Sequence, residues 1–160
     1  NHADRVRVAN LAQTINVLQA VILTNEEKML LTPTFHVMEM YNVHQDAKLL
    51  PLTVKSNDYV FGSDKLQAVS ASASIDANGL THVSLVNIDS KKAQDIEISL
   101  FGSEYKSVTG RILSSGAIQD HNTFENPDKV KPAAFKDVQI KGSTLKVKIP
   151  PFSVVVLELK

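Results

Sequence analysis

The spacing of apolar side chains divides the sequence into a first part with helical intervals and a longer part with strand intervals. Apolar residues from Val8 to Ile15 recur at three- and four-residue steps, which predicts an amphipathic helix over residues 3–14. Residues 17–23 then form a nearly continuous apolar run. Such a run is typical of a strand that is buried on both faces, as in a parallel sheet between helices.

A second helix is predicted over residues 32–46, because Thr32 suits the N-cap position and Pro33 the first helical position. The predicted order is therefore helix, buried strand, helix. A single strand cannot form a sheet, since its backbone donors and acceptors need neighbouring strands. We therefore expect residues 1–47 to be the last portion of a larger α/β domain whose other strands precede Asn1.

Residues 48–160 show strand periodicity only. Residues 69–75 alternate apolar and serine side chains, and Asn78-Gly79 suits a tight type I′ hairpin turn. About eight such short segments predict a mainly β fold, an antiparallel β-sandwich or jelly roll. Residues 116–135 have no period and carry two prolines, which predicts a long loop lying over a sheet.

The last strand, within residues 149–160, is apolar on both faces. Successive side chains of a strand point to opposite sides, so a half-exposed strand would be polar on one of them. We therefore predict a central strand. The opposing sheet of a sandwich can cover one face, and we expect protein outside this chain to cover the other.

Composition excludes several classes of function. The 17 basic and 17 acidic residues balance and form no basic stripe, so we predict no nucleic-acid partner. No apolar run approaches the roughly 18 residues of a membrane span, so we predict no membrane partner. The absence of cysteine excludes disulfides and thiolate chemistry and leaves the compartment, cytoplasmic or exported, undetermined.

Few side chains are candidates for chemistry. Glu26 and Glu27 form the only tempting carboxyl pair, but adjacent residues in a polar turn seldom converge on one substrate. Asn16 and Gln19 interrupt the most apolar stretch, and a buried amide must find partners. They are our two substrate-binding candidates, the alternative being amides satisfied within the protein. The five histidines lack metal-ligand spacing, so we predict neither a metal nor a cofactor.

Several separate motifs carry a family resemblance. The motifs are HADRVRVANLAQTINVLQAVILT (2–24), LTPTFHVMEMYNVHQDAKLLPL (31–52), HVSLVNID (82–89), HNTFENPDKV (121–130) and PPFSVVVLEL (150–159). In this order they resemble the C-terminal third of the family 51 glycoside hydrolases, the α-L-arabinofuranosidases.

The resemblance implies a (β/α)₈ barrel followed by a jelly roll. Residues 1–47 would then be the seventh helix, eighth strand and eighth helix of the catalytic barrel, and residues 48–160 the C-terminal domain. It implies a retaining enzyme that releases terminal arabinofuranosyl groups from arabinan or arabinoxylan, using two glutamates on earlier barrel strands. Neither glutamate motif lies in this chain, so we assign no catalytic residue and predict that the segment alone is inactive.

The partners implied are the remainder of the barrel, an arabinose-containing polysaccharide or oligosaccharide, and further copies in a homo-oligomer. Two other roles compete with this interpretation: a carbohydrate-binding module and an oligomerisation module. Sugar-binding surfaces usually offer aromatic faces. The chain has no tryptophan, three tyrosines and six phenylalanines, which argues against the first of these roles.

Overall fold

The structure, a computed structural model, describes residues 2, 4–6, 8–12, 14–18, 20–102 and 104–160. These residues are mainly β, with one α-helix, α1 (Pro33–Tyr41), which continues into a 3-10 helix (Asn42–His44). The strands are β1 (Ile22–Asn25), β2 (Lys28–Leu31), β3 (Lys48–Leu49), β4 (Asp58–Phe61), β5 (Asp64–Gln67), β6 (Val69–Ile75), β7 (Thr81–Asn87), β8 (Gln94–Ser99), β9 (Val108–Leu113), β10 (Ala133–Ala134), β11 (Val138–Lys141), β12 (Thr144–Ile149) and β13 (Ser153–Leu159).

Two antiparallel sheets form the predicted sandwich. The larger has the order β10-β9-β13-β7-β6-β3 and the smaller the order β11-β12-β8. Apolar side chains from both sheets meet in one core, in which Leu145 and Ile149 of β12 lie with Val155 and Leu157 of β13. The mainly β, antiparallel fold predicted from the sequence is confirmed.

The last strand, β13, is central as predicted, since it pairs with β7 on one side and β9 on the other. Its second face is covered by this chain's own helix. Met40 of α1, Leu113 and Val130 pack with Val156 in a second apolar cluster. The expectation that outside protein covers this face was therefore wrong, because α1 folds back onto the sheet and forms the third layer.

The helix predicted over residues 32–46 is confirmed in α1 and its 3-10 extension, with Pro33 in the first helical turn. The Thr32 side chain makes no capping bond. Its hydroxyl donates instead to the carbonyls of Ala20 and Val21, at 2.8 and 3.0 Å. Thr32 thus ties the start of the helix to the preceding segment.

The helix–strand–helix order is not found in the first part of the chain. The described residues of 3–14 contain no helix, and the predicted buried strand is replaced by the short antiparallel hairpin β1–β2. Val8, Leu11 and Leu18 are exposed. An amphipathic helix is stabilised mainly by packing of its apolar face, and no described part of this chain covers that face. The barrel portion of the predicted fold is therefore not confirmed.

Candidate functional site

Asn16 is exposed and adopts a left-handed conformation with φ 54°. Both polar atoms of its side chain bind Thr24: Nδ2 donates to Oγ1 and Oδ1 accepts from the backbone N–H, each at 2.8 Å. Asn and Asp tolerate this backbone region better than other non-glycine residues. The amide closes the loop between residues 16 and 24, and its predicted contact with substrate stays a prediction. Gln19 lies outside the described residues.

The adjacent carboxyl groups of Glu26 and Glu27 lie in the turn of the β1–β2 hairpin, between the paired residues Asn25 and Lys28. Both side chains are exposed, and Glu26 has a φ of 53°. The turn offers these carboxyl groups no enclosed surface. The interpretation of this segment as a polar turn is confirmed.

A buried polar cluster lies between α1 and the larger sheet, where sequence reasoning expected only ordinary histidines. His44 Nδ1 lies 2.7 Å from Ser74 Oγ, and His44 Nε2 is hydrogen-bonded to Ser84 Oγ. Burial is the main cause of the lowered pKa of His44, and nearby His82 adds to it. Burial also raises the pKa of Tyr41, which is linked to Ser84. The cluster fixes the 3-10 turn to β6 and β7.

His82 is 3% exposed and is the second residue of β7. Its Nε2 lies 3.1 Å from Asp76 Oδ2, whereas its Nδ1 is buried without a partner among the described residues. The bond with His82 is the largest cause of the lowered pKa of Asp76. The serines that alternate along β6 were the sequence signal for a polar patch on this sheet face. The histidine facing them could not be placed without the strand register.

The carboxyl groups whose pKa departs from the ordinary value are all shifted downward. Arg111 donates to both oxygens of Glu39 at 2.8 Å and lowers its pKa. Lys129, which binds Asp120 at 2.7 Å, and the Ser115 hydroxyl together lower the pKa of Asp120 to about 2. A general acid at neutral pH needs a raised pKa instead. The others that are lowered are Asp76, Asp89 and Glu125.

The part of the chain that the structure describes holds no group of three or more His, Asp or Glu side chains placed to bind a metal ion. Within the same residues, no helix has the length and apolar character needed to traverse a bilayer. These side chains can bind a ligand and stabilise the fold. Among the residues that the structure describes, they bring together no acid and nucleophile pair.

Asn122 joins the long loop to the hairpin. Its Nδ2 donates to the carbonyls of Leu31 at 2.8 Å and Val130 at 3.0 Å, and its Oδ1 accepts from Val130 N–H at 2.8 Å. The side chain is buried. The loop predicted over residues 116–135 is thereby held against both β2 and the second apolar cluster.

Known proteins resemble this chain over almost its entire length. It is 44% identical to the intracellular exo-alpha-L-arabinofuranosidase of Bacteroides ovatus, covering 99% of this chain and 31% of that protein. The GH51 arabinofuranosidase of Xanthomonas axonopodis pv. citri superimposes with a TM-score of 0.97 at 41% identity, covering 99% of this chain and 32% of the other. The thermostable GH51 alpha-L-arabinofuranosidase of Thermotoga petrophila RKU-1 gives 0.85 at 25% identity, covering 99% and 35%.

The chain thus spans about a third of the length of the relatives it matches. The sequence profile described as the alpha-L-arabinofuranosidase C-terminal domain matches residues 1–153, which include both the hairpin–helix segment and most of the sandwich. The resemblance inferred from the motifs is confirmed. This chain belongs to the alpha-L-arabinofuranosidase C-terminal domain family.

Proposed function

We propose that this chain is the C-terminal, non-catalytic part of a retaining α-L-arabinofuranosidase that releases terminal arabinofuranosyl groups from arabinan or arabinoxylan. The observation that carries the proposal is the 44% identity with the Bacteroides ovatus enzyme over the whole chain. The catalytic glutamates lie outside these residues. Glu26 and Glu27 are exposed turn residues. The described carboxyl groups whose pKa departs from the ordinary value all have a lowered pKa, whereas a general acid needs a raised one.

In this proposal residues 1–47 adjoin the catalytic barrel and residues 48–160 form the accessory sandwich. The distribution of exposed apolar side chains supports it. Leu18 is 82% exposed and Met38, on the outer side of α1, is 48% exposed. The apolar side chains in the core of the sandwich, by contrast, are buried. Val8, Leu11 and Ile15, also within residues 1–47, are exposed as well, and a segment with this many exposed apolar side chains is suited to contact with other protein. We propose that the remainder of the barrel covers it.

Expression of the longer protein that contains this chain tests the activity. We expect it to release arabinose from an aryl α-L-arabinofuranoside, and the 160-residue chain alone to release none above a protein-free blank. NMR of the first product should show the α anomer, as retention requires. Turnover by the short chain at a comparable rate would overturn the assignment of the glutamates to the missing part, and a β anomer would overturn retention.

An oligomerisation role is a second candidate, and one feature favours it. The β4–β5 hairpin forms a sheet of its own and carries the exposed apolar side chains Val60, Phe61 and Leu66. Phe61 is 77% exposed. We expect Phe61→Ser to reduce the mass of the longer protein in light scattering from an oligomer to a monomer. Tyr59→Ser on the same hairpin serves as the matched change. An unchanged mass for Phe61→Ser removes this hairpin from any subunit contact.

A further inference from the structure

The outer face of the smaller sheet carries a regular grid of polar side chains. In the register of β11, β12 and β8, Gln139 is paired with Lys146, and Lys146 with Glu97. The next row holds Lys148, which pairs with Asp95 and whose N–H donates to the carbonyl of Asp137 at 3.0 Å. Strand geometry places neighbours in a row about 4.8 Å apart and the two rows about 6.6 Å apart.

These six side chains line an open groove of about 730 Å³. Among the described residues, none of them is engaged by another side chain through a hydrogen bond or ion pair. Each row therefore presents a lysine ammonium with an acceptor group on either side, and all three groups remain free to bind a ligand.

The charges of the grid indicate the kind of ligand. Three carboxylates face two ammonium groups, which leaves one excess negative charge spread over both rows. The two lysines lie side by side on β12, with carboxylate or amide side chains on both flanking strands. A phosphate held by the lysines would therefore also meet carboxylates, and a strongly basic peptide would meet the lysines, so neither matches this surface. A chain of neutral hydroxyl groups does match, because each hydroxyl donates to a carboxylate or amide oxygen and accepts from a lysine.

The groove adjoins a second hollow and shares two lining residues with it. Beyond Asp95 and Ile96 it continues into this hollow of about 350 Å³, bounded by Lys55, Ser56 and Asn57. An elongated, polar and open groove is suited to a segment of a polymer. The lining contains no aromatic side chain for stacking, so binding is expected to be weak and to act by retaining a polymer that is also held elsewhere.

We propose that this grid is an accessory binding site for a neutral oligosaccharide segment. That the segment is part of an arabinose-containing polymer rests on the proposed function. The site lies in the accessory sandwich and contacts no reacting atom. It would raise the affinity for polymeric substrate and leave the hydrolysis of a small substrate unchanged.

The test uses the longer protein with the double variant Glu97→Ala/Lys146→Ala, which removes one opposed pair and keeps the net charge. Asp128→Ala/Lys131→Ala is the matched control, because it removes an exposed pair of the same charge outside the groove. We expect KM for polymeric arabinan to rise about five- to tenfold, the loss of two hydrogen bonds to a ligand. Kinetics with an aryl arabinofuranoside, and both substrates with the control, should not change.

Retardation in native gels containing arabinan gives a readout independent of turnover, and loss of retardation in the groove variant alone is expected. Thermal unfolding checks that the variant folds, and Asp95→Ala/Lys148→Ala repeats the experiment in the second row. Equal arabinan kinetics and equal retardation for groove variants and control would overturn the inference while leaving the proposed function intact. A wild-type protein that turns over neither substrate contradicts the proposed function, and its retardation still decides the groove.

Discussion

Replacement of Met40 by alanine tests whether α1 is the layer that covers the second face of β13. Met40 is 1% exposed and packs with Val156 and Leu113. Met38 lies two residues away on the same helix and is 48% exposed, so Met38→Ala removes the same atoms from the opposite side. Both variants replace a methionine by alanine in the same helix, so both change the helix propensity by the same amount.

The expected magnitudes differ clearly. Truncation of a buried methionine to alanine costs about 2–5 kcal/mol, because transfer energy is lost and a cavity remains. An exposed methionine on the same helix should cost less than about 0.5 kcal/mol. For a chain of this length, the Met40 variant should therefore unfold roughly 5–15 °C earlier than the wild type. The Met38 variant should shift by about 2 °C or less.

Urea unfolding followed by far-ultraviolet circular dichroism measures both free energies, since the chain has no tryptophan for fluorescence. Equal losses in the two variants, or a loss below about 1 kcal/mol for Met40→Ala, would refute the three-layer packing. In the longer protein, Met38→Ala should cost more than in this chain, because the proposed barrel contact covers that side. An unchanged cost there would contradict the contact.

Three further predictions concern single contacts. Asn122→Ala should lower the free energy of unfolding by about 1–3 kcal/mol, measured by urea titration, because buried backbone groups lose their partners. Gly110→Ala should cost about 1–3 kcal/mol in the same assay, because the added Cβ would lie 2.9 Å from Leu157 Cδ2. The folded-state pKa of His44 lies below its ordinary 6.5, so unfolded chains bind the proton first and stability falls as pH drops through 6.5. Thermal unfolding at about pH 7.5 and about pH 5.5 should show a smaller decrease for His44→Gln than for the wild type; equal decreases would contradict this.

The sandwich could be predicted from the sequence because the apolar and polar positions of a strand indicate which of its faces are buried. A strand that is apolar on both faces must be central, and β13 is. Thr32-Pro33 marked the start of α1 correctly. The helix predicted over residues 3–14 failed because a periodic pattern indicates which face needs cover and not what covers it.

Turn chemistry shows the same limit on a smaller scale. Asn78-Gly79 predicted a two-residue type I′ turn, which needs positive φ at both residues. Only Gly79 has it, at 81°. The loop instead spans residues 76–80, and Asp76 Oδ1 accepts from the N–H groups of Asn78 and Leu80. A side-chain acceptor at the start of the loop was visible in the sequence, and it prevailed over the dipeptide preference.

The candidate sites could not be predicted because they depend on strand pairing between residues that lie far apart in the sequence. Gln139, Lys146 and Glu97 form one row although more than forty residues separate the last from the first two. Each alone reads as an ordinary exposed polar residue of an alternating strand. Likewise, nothing near His82 in sequence distinguished it from a surface histidine, although it is 3% exposed in the structure and its Nε2 lies 3.1 Å from Asp76 Oδ2.

The two sides of α1 differ in what they contact. The inner side of α1 packs on the sandwich through Met40, and Arg111 of β9 donates two hydrogen bonds to Glu39 of α1. Its outer side keeps Met38 exposed. If residues 1–47 adjoin a barrel, α1 is therefore a layer common to both domains, and displacement of one would expose apolar surface on the other. Two domains that share a buried helix cannot move independently, and the sandwich in that arrangement braces the barrel as a rigid body.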